Sequence, residues 1–457
     1  MLLPPRRRGR CADGSSRRRP GDGPAPRTDQ HRRPAPCGAR LKQAVTRHVA
    51  TAGVEGHRLF HRDFSLWYLA RSVSVAGTAA SAVALPLLVY RTSGSPALTA
   101  AVVGLEALPY LLFGLFAGAA ADRLRRKRMM IVADVCCALL LATVPVAALF
   151  DALAPWYLLI VAFGVGCGFC WFDAAAWGAF VRIVGKPGVT RANSLIWSTE
   201  IALEIAAPAA AGLLAAIADP TLVLAVDAAT YLVSAVLLAQ IRTGLDPGPT
   251  VARRLRAEIA EGVHHLWRTP VLRTLTAAGF GLNVAAGGVL GLLVVHADQA
   301  LGVGPEDQRL GLLYAAAAAG SLVAAVVLPA ASRRAGQGVV SITGLIIFVA
   351  ALVGLAGTSV FALALAGWAM WAVARLTVNA NGITVRQLLT PDALQGRVNT
   401  TGRMVAWGGT PFGALIGGLA ADTYGVRVAY LVLAVPVVLS LALVTASPVR
   451  GLRIAVN

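Results

Sequence analysis

Glu106, Asp173, Glu200, Glu204 and Asp227 stand inside segments otherwise built of Ala, Leu, Val, Gly and aromatic residues. An ionisable side chain at the centre of a bilayer costs ~2.5–3.5 kcal/mol or more, so it is a functional candidate by default. A carboxyl there can carry a proton or hold a fixed cation. Glu204 falls near the middle of its segment, with Glu200 one helical turn before it on the same face. Glu106 is almost as deep, while Asp173 and Asp227 lie nearer the ends of theirs. Glu204, Glu106 and Asp173 are the candidates for proton coupling, and Glu200 reads as a first-turn carboxylate. The plainer reading of each is a structural ion pair or a hydrogen-bonded neutral acid. Arg375 is the mirror case, followed by Asn379 and Asn381. It suits a counter-ion for Glu106 or Glu204, a ligand for an anionic substrate group, or a side chain that snorkels to the nearer surface.

Other chemistries find little support. CGFC (Cys167 to Cys170) has CxxC spacing but sits in an apolar run without a His or a second pair, which fits close helix packing better than metal or redox work. His296 and Asp298 have no third partner in sequence, and GxxxxGK[ST] is absent. No metal, cofactor or enzymatic activity is expected. Phe163, Phe169, Trp171, Phe172 and Trp177 crowd one segment, and Trp197 begins the next. Such rings form the wall of a cavity for large apolar compounds, or the lipid-facing surface.

The 457 residues are 57% hydrophobic and 14% charged, with a mean hydropathy of +0.67. Scarce, clustered charges between long apolar runs indicate an all-α polytopic membrane protein. Residues 1–62 are rich in Arg, Pro and Gly and are expected to be a disordered tail. From Leu66 twelve runs have spanning length: roughly 66–90, 97–121, 129–150, 155–180, 193–217, 220–240, 271–297, 308–331, 337–357, 359–384, 398–421 and 426–446. A polar segment, 242–270, parts them six and six. This gives an N-terminal half (63–241), a central loop, a C-terminal half (271–446) and a short tail (447–457). The net charge of +19 comes from the N-terminal tail and the short loops. Loop cations orient membrane helices, so nucleic acid is not an expected partner. Eighteen Lys and Arg flank one side of the runs and only Arg91, Arg309 and Arg427 the other. That bias places both termini and the central loop in the cytoplasm. TRANS (Thr190 to Ser194) and GRVNT (Gly396 to Thr400) open runs 5 and 11, and the small-residue stretches after Gly212 and Gly418 keep the same offset. Two pseudo-symmetric six-helix halves follow, an organisation common among secondary transporters.

Between runs 2 and 3 stands GLFAGAAADRLRRKRMM. Gly118, Asp122, Arg123, Arg126 and Lys127 match the loop pattern G-x-x-x-D-R-x-G-R-[RK], with Arg125 where that pattern has Gly. On these residues the chain resembles the major facilitator superfamily over 62–446. RDFSLWYLARSVSVAGTAASAVALPLLVY, LPYLLFGLFAGAAADR and FDAAAWGAFVRIV are similar to the branch with macrolide and enterobactin exporters. Pro208 and Gly212 keep part of the antiporter pattern G-x-x-x-G-P-x-x-G-G, whose other glycines are Leu203, Ala207 and Ala211 here. The resemblance implies proton-coupled efflux of a drug-like or siderophore-like molecule across a cell membrane, by a monomer whose partners are substrate, protons and lipid. Alternatives are a solute importer of the same fold and a lipid-handling membrane protein. It also implies that Asp122 latches the start of run 11, near Arg397 to Asn399, when the cytoplasmic side closes. A carboxylate beside a helix N-terminus gains ~0.3–1 kcal/mol. Arg123 and Arg126 are placed to pair with Asp134. The matching place in the second half, LPAASRRAGQ, has cations but no carboxylate.

Overall fold

The computed structural model describes residues 60–185, 188–217, 219–246, 255–391 and 394–454. The expected N-terminal tail and part of the central loop lie outside these. Every regular element among the described residues is helical. The helices are α1 Arg62–Ser93, α2 Pro96–Ala121, α3 Arg126–Leu149, α4 Pro155–Val184, α5 Val189–Ile217, α6 Pro220–Ala239, α7 Leu255–Arg268, α8 Pro270–Gly291, α9 Leu293–Leu301, α10 Arg309–Ala335, α11 Gln337–Gly357, α12 Phe361–Leu389, α13 Gln395–Trp407, α14 Gly409–Tyr424 and α15 Val426–Thr445. A 3₁₀ turn, Pro448–Gly451, follows. Eleven spans among the described residues are long and apolar enough to cross a membrane, with α13 and α14 joined in one of them. The 29-residue α5 is additional to that set.

The chain turns where its backbone chemistry allows. Pro opens α2, α4, α6 and α8, a position whose N–H would have no intrahelical partner. Ser95 caps α2 by accepting from Leu98 N, and Asp219 caps α6 by accepting from Thr221 N at 2.7 Å. α1 stops at Gly94, whose φ of 62° is left-handed.

Two expected runs are broken. Run 7 is α8 and α9, divided at Leu292, and run 11 is α13 and α14, divided at Gly408. Pro411 explains the second break, because it cannot donate back to Trp407. The expected C-terminal tail is packed as far as Ile454: Gln337 Oε1 accepts from Ile454 N at 2.8 Å.

Packing joins α1 to α5 and α6, α2 to α4, and α3 to α4 and α6. In the second part α8 packs on α14 and α15, α10 on α12, and α11 on α12 and α15. α2 with α14, and α5 with α10, connect the two groups. Small residues allow the closest approaches. A Cβ built on Gly413 would fall 1.6 Å from the Val284 carbonyl oxygen, so α8 and α14 touch backbone to backbone there. Leu139, Ile160, Val326, Leu363 and Leu439 are exposed. In a multi-pass membrane protein these face lipid.

Candidate functional site

One end of the bundle carries most of the cations and is called the cationic end below. α1, α3, α5, α8 and α13 start there, and α2, α4, α6, α12 and α15 finish there.

At the end away from the cations, the two helix groups are sealed. A Cβ on Gly418 would meet Ala97 Cα at 2.9 Å, and one on Gly291 would meet Ala100 Cα at 2.8 Å. Asp422, at the end of α14, accepts from Ala97 N at 3.2 Å and from Ser95 Oγ at 3.4 Å. Its carboxylate thus meets the positive end of the α2 dipole. Tyr90 OH donates to Asp298 Oδ2 at 2.6 Å, and Arg91 Nη2 to the Pro305 carbonyl at 2.8 Å. Loss of the Asp422 contact should loosen this seal by ~0.3–1 kcal/mol, or about 2- to 5-fold in population. Asp422→Ala is therefore expected to raise the reactivity of a cysteine placed at the buried Thr99 by about that factor towards a membrane-impermeant thiol reagent.

Deeper in, a chain of charges joins the two groups. Glu200 Oε1 accepts from Arg71 Nε at 2.6 Å, and Arg71 Nη2 lies 3.6 Å from Asp173 Oδ1. Asp173 Oδ2 accepts from Arg403 Nη2 at 2.8 Å, and Oδ1 from Trp177 Nε1 at 3.2 Å. Arg403 also donates to the Tyr110 hydroxyl and lies 5.3 and 5.4 Å from the Tyr110 and Trp407 ring centres, within cation–π range. Arg71 covers the Phe172 ring at 5.7 Å. Asp173 is about 16 Å along α4 from its cationic end, and Arg403 about 12 Å into α13, at 1.5 Å per residue. The cluster is thus held at mid-depth by α1, α2, α4, α5 and α13.

The expected residues distribute around it unevenly. Asp173, Phe172 and Trp177 belong to the cluster. Trp171 does not; it points into a groove of about 540 Å³ between α3 and α4, with Arg125 and Arg128 at its rim. Glu204 and Arg375 form no ion pair within 4.0 Å among the described residues. Arg375 lies 5.5 Å from the Trp371 ring centre. Glu106 has Asp227 as its charged neighbour rather than Arg375. Asp227 accepts from Ser81 Oγ at 2.5 Å and Thr230 Oγ1 at 2.9 Å. Asn379 lines a small cavity with Arg386, Arg403 and Trp407. Pro208 and Gly212 both lie in α5.

In the loop after α2, Arg126 Nη2 bonds Asp122 Oδ1 at 3.2 Å and its Nε the Ala121 carbonyl at 2.9 Å. The Arg126 guanidinium also packs on α4, where a Cβ on Gly178 would meet its Cζ at 2.4 Å. The expected pairing of Arg123 or Arg126 with Asp134 is not formed: Asp134 is buried without a hydrogen-bond partner for either oxygen. Arg126, the first residue of α3, reaches back across the short loop to Asp122 at the C-cap of α2. Lys127 Nζ binds the Ala239 and Ile241 carbonyls at 2.7 and 2.8 Å, completing the C-terminal end of α6. Gly118 supplies the carbonyl that accepts from Asp122 N at 3.3 Å. Asp122 is exposed, and among the described residues its side chain meets Arg126 and nothing of the second group.

The pattern of the transmembrane secretion effector family matches residues 58–455. The chain belongs to the major facilitator superfamily. Members of this superfamily are transporters, not enzymes. The chain is 29% identical over 374 residues to the multidrug efflux pump Tap of Mycolicibacterium fortuitum, covering 80% of this chain and 90% of that one. It is 25% identical over 179 residues to macrolide efflux protein A of Streptococcus pyogenes, covering 39% and 44%. Among solved structures, the nucleoside transporter NupG superposes with a TM-score of 0.69 at 13% identity, covering 85% of this chain and 99% of that one. A bacterial homologue of the lysosomal transporter Spinster, inward-facing and unoccupied, gives 0.67 at 16%, covering 84% and 96%. Both share the major facilitator fold.

Arg71, Tyr110, Arg403 and Asp422 were not singled out in the sequence. Arg71 and Arg403 carry the signal that marked Arg375, a guanidinium inside an apolar run.

Proposed function

We propose that the protein is a proton-coupled exporter of drug-like or siderophore-like compounds that works by alternating access. Its cationic end faces the cytoplasm, with both termini on that side. The carrying observation is the asymmetry of the two ends: backbone-close packing and Asp422 seal one, while at the other Asp122 holds only its own Arg126. The halves then meet at mid-depth through Asp173 and Arg403, where rocking would break or make one ion pair. Twelve crossings in two six-helix halves support this reading, with α5 as the twelfth. If α8 replaces α1, α10 replaces α2, α11 α3, α12 α4, α13–α14 α5 and α15 α6, the five packing pairs named above for the first group recur in the second. The efflux relatives support the outward direction.

The test is transport into inverted membrane vesicles with an inward-acid gradient, screened over macrolides, lipophilic cations and siderophores. Accumulation is expected for at least one class and should vanish when a protonophore dissipates the gradient. Accumulation indifferent to the protonophore, or driven only in right-side-out vesicles, would remove proton-coupled export and favour the importer.

A further inference from the structure

Arg386 is a buried cation with no neutralising partner among the described residues. It lies three residues before the cationic end of α12 and is 7% exposed. Among the described residues no carboxylate lies within 4.0 Å of it and no acceptor takes a hydrogen bond from its guanidinium. Its side chain lies against α13 at Gly402, where an added Cβ would fall 2.7 Å from Cζ and Nη1. A glycine at that one position lets the guanidinium rest on the helix. The next residue is Arg403, and both arginines line one cavity. Like charges are thereby gathered on one wall, and of the two arginines it is Arg403 that bonds Asp173.

The rest of the cavity is built to take a small acceptor group. Its free volume is about 30 Å³, enough for a carboxylate-sized group and not for a whole drug molecule. Asn379 and Ser341 are also in its lining. Ser341 Oγ accepts from Asn381 Nδ2 at 2.8 Å, which leaves its own hydrogen for another acceptor. Trp407 and Ile383 supply apolar surface beside the two guanidiniums. A buried guanidinium without a partner is costly, and a charge-assisted bond to an anion offsets that cost.

We propose that Arg386 and Arg403 form an anion subsite that takes the carboxylate, or an equivalent acidic head, of an amphipathic substrate whose apolar body lies beyond it. This rests on the transport reading above and narrows its substrate class. An anion bound there competes with Asp173 for Arg403. Loading the subsite would therefore weaken the ion pair that joins the halves at mid-depth.

The test uses the purified full chain in detergent micelles, with two dyes of similar size: fluorescein, which carries a carboxylate, and rhodamine 6G, a cationic ester. Binding is read by fluorescence anisotropy. Arg386→Gln is expected to weaken fluorescein binding at least about 10-fold, and Arg386→Lys by about 3-fold, since an ammonium keeps the charge but not the planar fork. Rhodamine 6G binding should not weaken. Equal weakening of both dyes would mean that Arg386 only supports the fold, and undiminished fluorescein binding would remove the subsite. Displacement of fluorescein by millimolar inorganic phosphate as readily as by unlabelled fluorescein would show a free-anion site and overturn the substrate assignment. If inverted vesicles accumulate none of the compound classes screened above while fluorescein binding still depends on Arg386, the export reading fails and the subsite stands.

Discussion

Asp173→Asn is expected to reduce transport at least about 100-fold while leaving membrane insertion near normal. The carboxylate receives Arg403 from one side, Arg71 from the other and the Trp177 indole between them. Removing one partner of a buried pair costs ~3–5 kcal/mol, because the charges left behind are uncompensated. Asn preserves the shape and offers one acceptor oxygen, so the loss reports charge. Because Arg71 also holds Glu200, it keeps a carboxylate; Arg403 is left with the Tyr110 hydroxyl and no carboxylate among the described residues. Arg403→Gln should therefore fail to a similar degree, and the double variant should lose much less than the sum of the two. The measurement is initial-rate uptake into inverted vesicles, divided by the protein inserted. Near-normal rates for Asp173→Asn, or strict additivity with Arg403→Gln, would show that the bridge is incidental to transport.

The second large effect concerns Asp122. In this conformation it is exposed and held by Arg126, so removing its charge should scarcely disturb the state described. On the proposed alternating-access cycle, the charge acts in the opposite state, where the cationic end would close on the start of α13. If ~1–2 kcal/mol of that state's stability is lost, its population falls about 5- to 30-fold. Asp122→Asn should lower transport accordingly with normal insertion. Asp122→Glu should recover part of it, and Arg125→Gly, which restores the superfamily's loop pattern, should do little harm. Full activity in Asp122→Asn would make the loop a topology signal and nothing more.

The helical bundle was legible because apolar runs of spanning length have one low-energy form in lipid. The breaks at Leu292 and Gly408 were not, since both fall inside continuous apolar stretches; Pro411 gave a hint for the second. Charge inside an apolar run singled out Asp173 and Arg375, but it could not pair them. Arg403 meets Asp173 across 230 positions of sequence, and no local pattern encodes such a contact. Asp134 shows the limit most clearly. It is one or two turns from Arg126 along the same helix, yet Arg126 bends back to Asp122 and to the glycine surface of α4 at Gly178. Trp171 and Asp173 are neighbours in sequence but face different ways, because two residues on a helix are about 200° apart. The seal at the other end was hidden for another reason: Ala97, Ala100, Gly291 and Gly418 are ordinary small residues until a second helix lies against them.

The central claim is that the two ends open and close in opposition, and paired distance measurements test it most directly. In a background with the native cysteines replaced, spin labels go on Leu124 and Leu388 at the cationic end, and on Thr92 and Tyr424 at the other. All four positions are exposed. The protein is reconstituted in lipid nanodiscs, and distances are recorded at acidic and neutral pH, with and without a transported compound. The account predicts that whenever the 124–388 distance shortens, the 92–424 distance lengthens. Distances that stay fixed under every condition, or that change together in the same direction, would contradict alternating access.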